Sequence, residues 1–296
     1  MTRKNTVETV MKYVLLVSAL TSITIVLMIG IFTLKEGMPA FREIGLGDLL
    51  TKTIWRPGQE QFGILAMIVG SSLVTVGAIV FGVPLALGSA IFLAEIAPQK
   101  IKAVVKPSIE LLAGIPSVVY GLFGMVVLVP LVRKIPAPGN SGYGLLAASI
   151  VLAVMILPTI ASVSENAIRN VPKSFREGSL AMGATKWETI KKVVLPSARS
   201  GILSGVVLGL GRALGETIAM IMVIGNSVVM PSATGGNPLT IFLSRARTLT
   251  GNIAVEIAYA TGIHANALFA TGVILFILIM LVNTSARFLI SNRRYD

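Results

Sequence analysis

Residues 171–201 read VPKSFREGSLAMGATKWETIKKVVLPSARSG, a polar and well-punctuated island between long apolar runs. Pro172 suits the first turn of a helix, where its missing N–H would have no partner anyway. Gly183 suits the position just past a helix end, where a left-handed backbone is needed. Thr185 with Glu188 three residues later is a capping box that opens a second helix, and Pro196 is expected to end it. The segment is expected to fold as two short helices joined at a glycine. On these signals alone, a solvated helical connector fits as well as a functional protrusion.

The flanks set its environment. The chain has 296 residues, of which 54% are hydrophobic and 13% charged, and its mean hydropathy is +0.85. A soluble domain carries about 25% charged residues, so the solvent here is largely lipid. Six stretches supply the roughly 20 apolar residues of a membrane helix: 13–34, 62–94, 109–132, 143–163, 201–230 and 265–290. The expected fold class is an all-α polytopic membrane protein with about six transmembrane helices. The first stretch exceeds the roughly 7–15 apolar residues of a signal peptide and five more follow, so it reads as an uncleaved anchor. The second is too long for a straight span; its Gly82 and Pro84 predict a kink or an extension beyond the bilayer. The third carries Gly114, Pro116, Gly121, Gly124 and Pro130.

A formal net charge of +12 in a soluble protein would suggest nucleic acid; in a lipid-embedded one it indicates topology, and no nucleic-acid partner is expected. Basic residues concentrate at the N-terminus (Arg3, Lys4, Lys12), between spans two and three (Lys100, Lys102, Lys106), between spans four and five (Arg169, Lys173, Arg176, Lys186, Lys191, Lys192, Arg199) and at the C-terminal end (Arg287, Arg293, Arg294). The alternate segments hold fewer: Lys35, Arg42, Lys52, Arg56, Arg133, Lys134, Arg245 and Arg247. This bias predicts that both termini and the 171–201 island are cytoplasmic. Of the two long outer segments, 35–61 has no clear assignment. The other, 231–264, opens on Pro231, Gly235, Gly236, Asn237 and Pro238; Leu239, Phe242, Leu243, Ala246 and Leu249 then recur at helical spacing with Arg245 and Arg247 off that face, which predicts an amphipathic helix. Trp55 is placed to anchor the outer interface.

Span five, GILSGVVLGLGRALGETIAMIMVIGN over 201–226, contains Arg212 and Glu216. Arginine at the bilayer centre costs at least about 2.5–3.5 kcal/mol on insertion scales. On a continuous helix an i, i+4 pair shares a face, so the two are expected to form an ion pair. The pair serves either as a staple between helices or as the lining of a path, in which the guanidinium offers a bidentate fork to an oxyanion. Thr217 and Asn226 are further candidates for the path. Gly205 with Gly209, and Gly211 with Gly215, are G-x-x-x-G pairs that permit close helix approach.

Glu177, Gly183 six positions on, then Val193, Leu195 and Pro196 match in spacing the long motif known as the EAA loop. That motif is Glu-Ala-Ala, three residues, Gly, nine residues, an aliphatic residue, one residue, Leu-Pro. Gly178 and Ser179 replace the alanines and Val193 the isoleucine. The segment thus resembles that of the binding-protein-dependent ABC-importer permeases. The resemblance implies a type I importer fold. It also implies that Glu177, Gly183, Trp187, Val193, Leu195 and Pro196 belong to an element that docks on a partner ATPase. The stretch G-R-A-L-G-E-T at 211–217 followed by Gly225-Asn226 resembles the phosphate-specific branch. So do GVPLALGSAIFLAEIAP at 82–98 and IPSVVYGLFG at 115–124. That branch implies import of inorganic phosphate across a bacterial inner membrane. Its partners would be a second related permease in a heterodimer, two copies of the ATPase and an extracytoplasmic phosphate-binding protein. The implied division is 1–62 for the tail, first span and outer segment, 63–290 for the transmembrane domain with coupling segment 171–200, and 291–296 for a cytoplasmic tail.

No G-x-x-x-x-G-K-[ST] loop occurs, so ATP and Mg are expected on the partner and no cofactor on this chain. GLGRALG neither follows a strand nor opens a helix, which separates it from a dinucleotide fingerprint. The chain has no Cys and one His, which argues against thiol or His-cluster chemistry; the chain is not expected to be an enzyme. His264 reads as a packing or interfacial residue, and Glu95, Glu110 and Glu165 as solvated or paired near cytoplasmic ends. Another oxyanion such as sulfate or molybdate is the nearest alternative cargo, and a secondary anion transporter or channel the nearest alternative class.

Overall fold

The computed structural model describes the backbone of residues 2–233, 235 and 237–291, and the side chains of 8–233, 235 and 237–285. Gly236, Arg293 and Arg294 lie outside the described residues, as does the 291–296 tail beyond Ser291. The helices are α1 Thr2–Ala40, α2 Leu46–Thr51, α3 Leu65–Ile91, α4 Gln99–Ala113, α5 Ser117–Phe123, α6 Val129–Arg133, α7 Leu145–Arg169, α8 Lys173–Ala181, α9 Lys186–Thr189, α10 Leu195–Gly215, α11 Ile218–Val223, α12 Leu249–Glu256 and α13 Ile263–Ser291. Two short antiparallel strands, β1 Trp55–Arg56 and β2 Gln61–Phe62, pair Trp55 with Phe62. Five helices are long and apolar enough to cross a membrane, and the number rises to six if the bent pair Gln99–Ala113 and Ser117–Arg133 is counted as one span.

Two apolar helices show how composition and environment separate. α7 is hydrophobic on every face and sits at the centre, with Leu152, Ile156 and Ile160 fully enclosed between α3 and α10. α1 is as apolar along its core, yet none of its most apolar window is buried within the chain. It touches the body near its end, where Gly37 backs onto Ala270 of α13, Phe32 meets Phe269 edge-on and Asn266 Nδ2 donates to the Glu36 carbonyl at 2.6 Å. A helix hydrophobic all round is stable only in a core or in lipid, so α1 presents its surface to the bilayer or to another membrane protein.

The second and third spans depart from straight rods. α3 runs through Pro84 and continues as a wider π turn, Phe92–Ile96, so the long stretch becomes one 32-residue helix. The third apolar stretch turns by 98° at Gly114–Pro116, so 109–113 belong to α4 and a new helix, α5, begins at Ser117. Proline at 116 disfavours a helical backbone at the residue before it, and the Tyr120 hydroxyl donates across the bend to the Leu112 carbonyl at 2.6 Å.

The 35–61 segment becomes a π turn, α2 and the β-hairpin. Trp55 is 3% exposed and faces inward rather than anchoring an interface. Its Nε1 donates at 2.8 Å to Glu256, which also receives Arg247 Nη1 at 2.5 Å and approaches His264 Nε2 at 2.8 Å. Arg247 further donates to Asn252 Oδ1 at 2.9 Å and to the Asn226 carbonyl at 3.2 Å. Burial of a carboxylate and a guanidinium together is sustained by this saturation of their hydrogen bonds. The amphipathic helix expected over 239–249 does not form: Pro238–Leu243 is a 3-10 turn, and the chain then extends before α12. The extended piece pairs its backbone, with Ala246 N–H donating to Ile224, Ser227 N–H to Ala246 and Leu145 N–H to Ser244, each at 3.1 Å. Backbone pairing and the Arg247 ion pair outweigh the apolar periodicity there.

Candidate functional site

The polar island closes as its caps dictate. Gly183 has φ +85°. Its N–H donates to Leu180 at 3.0 Å and the Ala184 N–H to Ser179 at 3.2 Å, the paired bonds of a Schellman end. Thr185 and Glu188 form both arms of the capping box, at 3.3 and 3.0 Å. Ser179 and Thr189 hydroxyls meet at 2.9 Å and hold α8 against α9. Pro196 does not end the second helix. Lys186–Gly215 is one continuous 30-residue helix, because the π turn Ile190–Val194 ends two positions before Pro196 and accommodates a residue without a donor. The second helix of the island is therefore the root of span five.

The island is anchored on one side and bare on the other. Arg176 of α8 donates to Glu95 at 2.6 Å, to the Ile168 carbonyl at 2.8 Å and to the Val171 carbonyl, which ties α8 to the ends of α3 and α7. Glu165, 1% exposed, accepts from Lys106 at 2.7 Å and Arg169 at 3.2 Å. Glu177 is exposed, and its side chain makes no hydrogen bond or ion pair among the described residues. Phe175, Leu180, Met182 and Trp187 are 51%, 48%, 88% and 59% exposed, an apolar surface on a polar segment that a protein partner would cover. Val193 and Leu195 are half-buried at its base and Pro196 is exposed.

Span five breaks where continuity was expected. α10 stops at Gly215, Glu216 is extended (φ −70°, ψ 129°), and α11 runs only from Ile218 to Val223. Arg212 and Glu216 are therefore not stacked on one helical face, and no ion pair joins them among the described residues. Arg212 Nη1 donates to Thr159 Oγ1 of α7 at 3.3 Å. Glu216 Oε1 accepts from the Ala219 N–H at 3.2 Å, so the carboxylate caps α11 rather than neutralising the arginine. Thr217 lies in the break and donates to the Gly215 carbonyl at 3.2 Å. Asn226 is at the far end of α11 in a left-handed turn (φ +48°), away from the break. Of the glycine pairs, Gly205 and Gly209 face α7, where a Cβ at Gly209 would lie 2.6 Å from Ile160 Cγ1; Gly215 faces open space.

Sequence reasoning missed Thr159 and Thr250. Thr159 is a hydroxyl in the apolar run of α7, and Thr250 Oγ1 donates to the Glu216 carbonyl at 3.0 Å. A polar residue inside a span was the available signal for the first; nothing local marked the second. Along α7, Thr159 stands about 21 Å from the first residue and about 15 Å from the last at 1.5 Å per residue, which places Arg212 near mid-span.

Residues 82–295 match the family model described as "Binding-protein-dependent transport system inner membrane component". A Bacillus subtilis protein named "Probable ABC transporter permease protein YqgH" is 42% identical over 272 residues, covering 90% of this chain and 85% of the relative. The Haemophilus influenzae "Phosphate transport system permease protein PstC" is 38% identical, covering 83% and 81%. Among solved structures, a chain of a bacterial ABC transporter involved in alginate import superposes with a TM-score of 0.65 at 17% identity, covering 95% of each chain. The family works with an ATPase subunit and a binding protein, and carries no cofactor in this subunit. The chain belongs to the binding-protein-dependent transport system inner membrane components: it is a polytopic inner-membrane permease subunit of an ABC importer.

Proposed function

We propose that this permease imports inorganic phosphate, with Arg212 as the cation that meets the anion at mid-span. The observation that carries the reading is a partly exposed guanidinium at a helix break, hydrogen-bonded to a threonine hydroxyl, with no carboxylate within ion-pair distance among the described residues. Guanidinium presents more donors than Thr159 can accept, in a fork that suits a tetrahedral oxyanion. An arginine already paired with Glu216 would have to be freed first. The relatives named as phosphate transport permeases support phosphate as the oxyanion.

Thr217 borders the same break and completes the path lining; Asn226 shapes the turn beyond it. Glu177, Gly183, Trp187, Val193, Leu195 and Pro196 form the face and base of the ATPase-coupling element. Both termini and residues 171–200 are cytoplasmic on this reading, and the hairpin and α12 are external. The working unit pairs this chain with a second, related permease, two ATPase copies and an external phosphate-binding protein. Residues 63–290 form the importer domain, and 1–62 add a peripheral span and an outer cap.

The test is ATP-driven uptake by proteoliposomes holding the full complex, with unlabelled phosphate, sulfate and molybdate competing against labelled phosphate. Phosphate alone should compete. Absence of ATP-driven uptake of labelled phosphate, or competition by sulfate or molybdate as strong as that by phosphate, would remove the substrate assignment.

A further inference from the structure

A second cationic pocket lies at the other end of α11. Its volume is about 310 Å³, and its lining includes Arg245, Ser227, Ser232, Thr240 and Ser244 without a carboxylate. We propose that this pocket is an entry-side oxyanion site, distinct from Arg212, through which cargo passes before it reaches the mid-span break. The proposal rests on the reading above that the cargo is an oxyanion and that this end of the chain is external.

Three observations carry it. First, Arg245 is exposed and engages no hydrogen-bond or ion-pair partner among the described residues. Arg247, two residues on, has its charge met by Glu256 at 2.5 Å. One arginine of the pair is a structural tie and the other keeps its donors available. Second, Arg245 is seated. The backbone bonds of Ala246 to Ile224 and of Ser227 to Ala246 fix its strand beside the 224–227 turn. Gly225, at φ +87°, lets the arginine stem lie against the backbone, since a Cβ there would stand 2.6 Å from Arg245 Cγ and 2.9 Å from Cδ. Third, two hydroxyls are free to donate. Ser227 Oγ accepts from the Val229 N–H at 3.4 Å and, among the described residues, donates to none, and Ser232 Oγ has no partner among them. Ser244 and Thr240 donate to the Ile241 and Asn237 carbonyls, both at 2.6 Å, and so contribute shape.

Guanidinium with two hydroxyl donors is the chemistry of a small tetrahedral oxyanion. α11 separates this pocket from the break by six residues, about 9 Å of helix rise. Two modest anion sites in series allow entry without a deep trap, the arrangement that conduction requires.

The chain has no Cys, so a single introduced thiol reports cleanly. In the assembled complex, Val229→Cys, an exposed position of the pocket lining whose side chain donates nothing to the anion, is reacted with an anionic and a cationic methanethiosulfonate of similar size. The anionic reagent should react about tenfold faster than the cationic one, because a lone cation in a cleft concentrates anions. Millimolar inorganic phosphate should slow it. Adding Arg245→Gln should abolish both effects; adding Arg245→Lys should keep the reagent preference and lose most of the phosphate protection. Equal reagent rates that Arg245→Gln leaves unchanged would overturn the site. Protection by sulfate with none by phosphate would uphold the site and remove phosphate as cargo, so the two readings fail separately.

Discussion

Replacing Arg176 by methionine should detach α8 from the membrane body. The native guanidinium satisfies Glu95 at 2.6 Å, the Ile168 carbonyl at 2.8 Å and the Val171 carbonyl. Glu95 is 10% exposed and Arg176 20%. Removing one partner of a fully buried pair costs about 3–5 kcal/mol, and this partial exposure reduces the figure to about 2 kcal/mol. Two carbonyls losing a charged donor add about 0.5 kcal/mol each at their wetted position. The sum, about 3 kcal/mol, raises the detached population of α8 roughly 100-fold, while methionine retains the apolar stem. Hydrogen–deuterium exchange over residues 173–182 of the assembled complex reads that population directly, and ATP hydrolysed per anion transported reads its consequence. The double variant Glu95→Leu, Arg176→Met leaves no stranded carboxylate and should return exchange most of the way to the parent. Unchanged exchange in Arg176→Met would refute the tether of α8 to the ends of α3 and α7.

Three further perturbations address separate features. Gly183→Ala meets no neighbour but forces a Cβ onto φ +85°, so the unfolding midpoint should register a loss of about 1–2 kcal/mol. Gly209→Val should lose about 1–3 kcal/mol by overpacking against Ile160, with Ile160→Ala restoring part of it, whereas Gly215→Ala, facing open space, should fold normally. Arg212→Ala should lower uptake at least tenfold while the complex still assembles, as measured by copurification of the ATPase. Normal transport by that variant would exclude Arg212 from the path.

How much was legible depended on the range of each interaction. The caps at Gly183 and at Thr185 with Glu188 were readable because both partners lie within five residues and the chemistry is local. The spans were readable from apolar length. Pro196 misled because proline's stop signal assumes an α-helical ladder, and a π turn ending two positions before it removes the conflict. The Arg212–Glu216 pair misled because i, i+4 geometry presumes an unbroken helix. The segment Gly215-Glu216-Thr217 carried a contrary signal, an acceptor side chain three residues ahead of the Ala219 N–H it caps. Trp55 reads as an outer-interface residue but is buried, because the partner that draws it inward, Glu256, is 201 residues away.

The two corrections to span five bear on one another. Because the helix runs unbroken from Lys186 to Gly215, a displacement of the island need not pass through a flexible joint before reaching the membrane interior. From Lys186 to Arg212 is about 39 Å at 1.5 Å per residue. Packing against α7 along the Gly205–Gly209 face confines that helix to sliding or tilting as a rod. Motion then has to be absorbed where the rod ends, and the chain supplies a joint there, at Glu216 and Thr217. Beyond the joint, Glu216 holds α11 by its cap and Thr250 holds the Glu216 carbonyl, so the outer half stays with α12. A salt bridge from Arg212 to Glu216 would have clamped the rod to the outer half across the joint. The lack of that salt bridge among the described residues leaves Arg212, on the proposed coupling role, free to shift relative to Thr217 and α11 across the joint. On the proposed coupling role, rearrangement at the ATPase therefore reaches the anion as a displacement of one arginine against a held break, and a glycine-to-proline change within 186–211, which introduces a second joint, should uncouple hydrolysis from uptake even where the fold survives.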